Sequence, residues 1–258
     1  MVFIRNLVVA FSLYSKIPMP HFEWKEEDMK YNLAFLPLVG AVIGAIEYLL
    51  IRKAFRFNLP MVAVMAFAGL VPLIVTGGFH LDGFMDTQDA FKSYKSPEEK
   101  LKILEDPHIG AFAVISLLSY VLVWIGALSI VIWRFSDTGI IFFCMSFVLS
   151  RIMTGLCSLS FEKAKKDGML STETKSAGKG CKYALIAQLL VCAAFLLCVN
   201  AALTVLMAAS TALFTAYYYR KTKREFGGVT GDTAGYYLVF TEGLMVALLA
   251  LFLSLPLG

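Results

Sequence analysis

Long uncharged runs decide what this chain can fold into. Phe57 to Leu81 is interrupted by no charged residue, only by His80, and Pro107 to Trp133 only by His108. Each exceeds the roughly 20 apolar residues that a helix needs to cross the hydrocarbon of a bilayer. In that solvent every backbone polar group must be paired internally. The bias extends over all 258 residues, of which 59% are hydrophobic and 16% charged, and it excludes a soluble globular domain. The fold class expected is all-α: a polytopic integral membrane helical bundle with one transmembrane domain over residues 1–258.

Seven spans are expected: Leu33 to Ile51, Pro60 to Phe79, Ala111 to Trp133, Thr138 to Ser160, Tyr183 to Val199, Ala201 to Tyr219 and Tyr236 to Leu257. The uncharged block from Tyr183 to Tyr219 reads as a hairpin turning near Asn200, because Lys182 precedes it and Arg220, Lys221, Lys223 and Arg224 follow. With this parity the amino-terminal segment and the loops after spans two, four and six share one side with 18 of the 23 Lys and Arg residues. Arg52, Lys53, Arg56 and Arg134 lie opposite, and Arg151 falls inside span four. The basic side is expected in the cytoplasm, with the amino terminus inside. Residues 1–30, with Arg5 in an otherwise apolar start, read as an uncleaved interfacial or partly inserted segment. The five cysteines lack ligand spacing and read as small buried hydrophobes.

The loop after span two is dense in acids. Asp82, Asp86 and Asp89 are spaced i, i+4 and i+7, which on a helix confines three carboxylates to an arc of about 60°. Like charges so placed repel unless they share a cation, which points to a hard, oxygen-ligated ion such as Mg²⁺. The bland alternative is a solvated acidic helix start. After span six, FGGVTGDTAGYY places Gly227, Gly228 and Gly231 around Thr230 and Asp232 just before a helix, a pattern suited to cradling phosphate on backbone N–H groups or to capping alone. Both segments fall on the same rim, where Asp106 and His108 enter span three. Arg151 is a candidate for bidentate phosphate contact, with an ion pair to Glu242 as the structural alternative. Glu47 reads as snorkelling or structural near the outer end of span one. The basic pieces Lys163 to Gly168 and Arg220 to Glu225 follow the inside bias and offer a secondary role in holding a nucleotide diphosphate. No P-loop, GxGxxG, HExxH or Ser/His/Asp set occurs in a credible context. Carboxylates, a divalent ion and an arginine suit phosphoryl transfer, which needs charge neutralisation and in-line placement more than covalent help.

The run GGFHLDGFMDTQDA, followed by EDPHIGAF and later by GGVTGD, together with SKIPMP (Ser15 to Pro20) and PLVGAVIG (Pro37 to Gly44), resembles the adenosylcobinamide-GDP ribazoletransferase (cobalamin synthase) family over essentially the whole chain. The resemblance implies a multi-pass enzyme of the bacterial or archaeal cytoplasmic membrane, with its site facing the cytoplasm. It implies Mg²⁺-dependent joining of adenosylcobinamide-GDP to α-ribazole or its 5′-phosphate, with release of GMP. The acidic motif maps onto Asp82, Asp86 and Asp89 as catalytic and metal-binding residues. The glycine-rich motif maps onto Gly227, Gly228, Thr230, Gly231 and Asp232 as substrate-binding residues. Lys16 and His108 stand where the family usually has arginine, and Ala90 where it has glycine, so Lys16, Asp106 and His108 are expected phosphate contacts in altered form. Asp89 or His80 is the expected general base.

Two other readings are weighed. A CDP-alcohol lipid phosphotransferase also uses acids on membrane helices, but Asp82-Gly83 is followed here by Phe84 and Met85 rather than that family's spacing. A transporter would place charge at the midplane rather than at one rim. The expected partners are the two substrates and the lipid bilayer, with no nucleic acid, and a homo-oligomer is left open.

Overall fold

The computed structural model describes residues 2–255. It is helical throughout: α1 (Val2–Tyr14), α2 (Asn32–Arg56), α3 (Met61–Thr76), α4 (Phe79–Lys92), α5 (Pro97–Ile103), α6 (Ala111–Trp133), α7 (Asp137–Ser160), α8 (Met169–Ser176), α9 (Lys179–Val199), α10 (Ala201–Phe226) and α11 (Gly231–Ser254), with a 3₁₀ turn at Glu26–Met29. Among the described residues the only extended pairing is an isolated bridge between Lys163 and Val229. Helices α2, α6, α7, α9, α10 and α11 are each long and apolar enough to cross a membrane. The pair α3 and α4 makes the seventh segment, bent by 95° at its break. The last expected span, Tyr236 to Leu257, is met as α11, and its final two residues lie outside the described part, as does Met1.

Each break has a local cause. Gly77 and Gly78 adopt φ of 66° and 79°, a left-handed region that costs a side-chain-bearing residue and that lets α4 turn away along the rim. Asn200 ends α9 and caps α10 by accepting from Leu203 N at 2.9 Å, so the uncharged block is the hairpin its flanks require. Ser96 and Glu99 form a capping box with Pro97 in the first turn of α5.

The main core lies between α2 and α7. The backbones approach so closely that a Cβ on Gly44 would sit 2.7 Å from the Cys144 carbonyl oxygen. Close approach through small residues is how helices gain dispersion energy in lipid, where no hydrophobic force drives them together. Phe143 and Phe147 fill the same seam at full burial, while Leu122, Val191 and Leu213 face outward. A second, aromatic cluster of Phe84, Phe214, Tyr218, Tyr236 and Tyr237 ties α4 to α10 and α11. Helix α1 is no loose appendage: Val9 and Ala10 are fully buried, and Lys16 N donates to Val75 O at 2.7 Å.

The expected parity is met as a shared face. Val229 N donates to Glu162 O and Ala164 N to Val229 O, at 2.8 and 3.0 Å, so the loops after α7 and α10 join. Lys100 pairs with Glu225, and Lys165 with Glu105 at 2.6 Å, which bring in the segment after α4. At the other end Arg52 pairs with Asp137 at 2.8 Å. The cluster of bases after span one belongs to the last turns of α2, where Lys53 and Arg56 sit at the negative end of the helix dipole. Of the two readings of Glu47, the structural one is met: α2 runs on to Arg56, nine residues and about 14 Å further along the axis, so the carboxyl does not snorkel. It is fully buried, and neither of its carboxylate oxygens has a hydrogen-bond partner. The cysteines are all free, but the expected burial holds only for Cys157 and Cys181; Cys144 and Cys192 are half-buried and Cys198 is exposed.

Candidate active site

Helix α4 presents the predicted acidic face, and its neighbour is α11. The two meet at Gly83, where a Cβ would lie 2.8 Å from the Asp232 carbonyl oxygen and 2.9 Å from its Cα. This contact sets Asp82 and Asp232 side by side on the lining of a cavity of about 350 Å³ at the shared loop face. Thr230 caps α11 by accepting from Thr233 N at 3.1 Å, and Thr230 and Gly231 line the cavity beside Asp232. Gly227 and Gly228 do not line it. Gly227 terminates α10 with φ 77°, and Gly228 packs on the backbone of Glu162 to Ala164. The glycine-rich motif is therefore divided: its first half shapes the loop, and its second half faces the cavity.

The three aspartates also part company. Asp86 is half-buried one turn behind Asp82, outside the cavity lining. Asp89 instead lies against Gly110 at the start of α6, so tightly that a Cβ there would collide with its carboxylate. Among the described residues no three acid, histidine or cysteine side chains converge to hold a metal unaided. The reason is repulsion: like charges on one face spread apart when nothing between them is positive. Asp82 and Asp232, which share the cavity lining, nonetheless fit Mg²⁺, which is commonly held by one or two carboxylates together with substrate phosphate and water. Two like charges brought together by the close approach of α4 and α11 are what such an ion offsets.

Two lysines share the lining: Lys165, paired to Glu105, and Lys163, whose Nζ donates to Phe161 O at 2.5 Å and whose ammonium is pulled down by burial; Glu105 and Asp167 line it as well. Of the two basic stretches, Lys163 to Gly168 reaches the cavity and Arg220 to Glu225 does not.

Other expected contacts lie elsewhere. Lys16 covers the α3/α4 bend, its aliphatic chain against Gly77, and is outside the cavity lining. Asp106 and His108 pair with each other at 2.6 Å and are largely exposed, also outside that lining. Arg151 is 1% exposed, and its Nη1 donates to Glu242 Oε2 at 3.1 Å and to Phe147 O at 2.8 Å. The ion pair, not the phosphate contact, is the arrangement observed. It borders a separate cavity of about 250 Å³ among α3, α6 and α11. Charge is therefore not confined to the rim, because Glu47, Arg151 and Glu242 are buried within spans.

His80 stands between the two cavities and lines both. It is buried, and its Nδ1 has no hydrogen-bond partner, so nothing fixes the tautomer that would accept a proton. Reasoning from sequence alone missed Glu173. It is 2% exposed in α8 and lines the cavity, while Tyr14 Oη and Asn32 Nδ2 donate to its Oε1 at 2.8 and 3.0 Å. Burial pushes its carboxyl up to about 7 against those two hydrogen bonds. Its one local signal was an acid among lysines in a loop, which is ordinary on a cytoplasmic face.

Comparison with known proteins identifies the family. Residues 6–251 match the family described as cobalamin-5-phosphate synthase. The adenosylcobinamide-GDP ribazoletransferase of Lachnoclostridium phytofermentans is 38% identical over 244 residues, covering 94% of this chain and 92% of the relative. Proteins of the same name from Clostridium perfringens and Clostridium botulinum are 32% identical over 253 residues and 33% over 242, covering 97% and 92% of this chain and 99% and 94% of theirs. No solved structure matches. With the match running through α4, the 162–173 loop and the start of α11 alike, this chain belongs to the cobalamin-5-phosphate synthase family.

Proposed function

We propose that this chain is an adenosylcobinamide-GDP ribazoletransferase, a multi-pass enzyme of the cytoplasmic membrane with its cavity facing the cytoplasm. It joins adenosylcobinamide-GDP to α-ribazole, or to its 5′-phosphate, and releases GMP. The ribose 3′-hydroxyl attacks the phosphorus linked to cobinamide, the bond from that phosphorus to the GMP oxygen breaks, and the hydroxyl proton is given up. The observation that carries this reading is one cavity lined by carboxylates from two helices, Asp82 and Asp232, together with Lys163 and Lys165. That set suits a diphosphate: the lysines neutralise its anionic oxygens, and the N-terminal end of α11 adds the positive end of a helix dipole. Asp82 and Asp232 would hold Mg²⁺, which when bound offsets the charge developing on the transferred phosphoryl group. The names of the relatives support the choice of substrates.

The test is GMP release by purified protein in lipid nanodiscs given adenosylcobinamide-GDP, α-ribazole and Mg²⁺. Release that depends on all three components is expected. The buried charges Glu47, Arg151 and Glu242 are what a transport reading would draw on. Solute uptake into vesicles without GMP release would replace the transferase reading.

A further inference from the structure

The cavity holds an acid that metal binding and phosphate binding leave unused. Glu173 lies on α8, which follows the basic loop, whereas the proposed metal ligands lie on α4 and α11. Tyr14 from α1 and Asn32 from α2 both donate to Oε1, so the side chain is held from two helices. Among the described residues Oε2 accepts no hydrogen bond. A carboxylate with one oxygen anchored and the other free beside a water-accessible cavity is oriented to accept a proton there. The burial of such a group is costly unless it has a use or a proton, which makes it a candidate for catalysis rather than packing.

We propose that Glu173 is the general base of the transfer reaction, taking the proton from the ribazole hydroxyl as that oxygen bonds to phosphorus. This rests on the transferase reading above. In the balanced step the hydroxyl oxygen forms the new P–O bond, the bond to the GMP oxygen breaks, GMP leaves with that electron pair, and the proton resides on Oε2 until it passes to solvent. His80 and Asp89 serve this role less well. His80 has a buried Nδ1 with no hydrogen-bond partner to orient the ring, and Asp89 is turned onto Gly110, outside the cavity lining. The groups that bear on Glu173 are Tyr14 of α1, Cys181 of α9, and, around the cavity, His80, Asp82, Glu105, Lys163, Lys165, Asp167 and Asp232. Tyr14 is the nearest lever, because its hydrogen bond favours the ionised carboxylate. With the carboxyl at about 7, the ionised fraction, and so the rate, rises through neutral pH.

The experiment measures kcat for GMP release from pH 5.5 to 9 in nanodiscs for the wild type, Glu173→Gln and Tyr14→Phe. The wild type should show an acid limb near neutrality. Glu173→Gln should lose about 10²-fold or more of kcat and lose that limb. Tyr14→Phe should shift the limb upward with a smaller loss, because the carboxylate loses a donor. If Glu173→Gln keeps the limb, at whatever rate, or turns over like the wild type, the base is another group. If it fails to fold, the Tyr14→Phe profile decides: an unmoved limb overturns the proposal, and a shifted one upholds it. Absence of GMP release by the wild type at every pH would instead sink the transferase reading itself.

Discussion

Replacing Gly83 by alanine separates geometry from chemistry, because it removes no functional group. The new Cβ would stand 2.8 Å from the Asp232 carbonyl oxygen, whereas ordinary contact begins at 3.4 Å, so α4 and α11 must part by at least 0.6 Å. Both obstacles are backbone, and neither can rotate away. Overpacking of this kind costs about 1–3 kcal/mol, while alanine in a helix gains about 1 kcal/mol over glycine, leaving a small net loss of stability. The effect on turnover is much larger, because Asp82 and Asp86 move relative to Asp232, and misplacement by about 1 Å costs on the order of 10²-fold. The assay pairs GMP release with a thermal melt in detergent. Gly126→Ala is the matched control, since nothing lies within 4 Å of its Cβ position. That variant should be as active as the wild type and as stable or more so. Full turnover by Gly83→Ala, or an equal loss in Gly126→Ala, would refute the claim that the α4/α11 seam sets the carboxylate geometry.

Arg151→Met should destabilise the protein by about 3–5 kcal/mol by stranding the buried Glu242, and adding Glu242→Leu should recover most of this with turnover retained. A well-folded but inactive double variant would return Arg151 to the site. Arg151→Lys should stay active, because both observed bonds come from Nη1 alone and the planar fork is not used. Asp82→Asn should abolish GMP release while membrane insertion remains normal; retained activity would remove Asp82 from the metal site. In a cysteine-free background, cysteines at Tyr94 and Arg224 should react with an impermeant maleimide from the cytoplasmic side and one at Asp137 from the other. A shared side for all three would break the parity of the spans.

Much of the fold was legible in the residues because lipid imposes a simple rule. A run long enough to cross and free of charge must be a helix, and the positions of Lys and Arg fix which loops share a side. The hairpin at Asn200 and the spacing of Asp82, Asp86 and Asp89 on one helix follow from such local facts. Glu47 shows where this reasoning stops. Its depth depends on how far α2 continues, and its burial depends on α2 lying close against α7.

What the sequence by itself determined was the solvent, the class of fold, the side on which the loops gather and the types of side chain available for phosphoryl chemistry. Only the tertiary structure decided which of those side chains meet: Asp232 with Asp82 and Asp86, Arg151 with Glu242, and Glu173 with Tyr14 from a helix 159 residues away. The physical reason is range. Helix periodicity and hydropathy act over one or two turns, but the site is assembled by backbone approach between helices distant in the chain, where a single missing Cβ, as at Gly83, sets the distance.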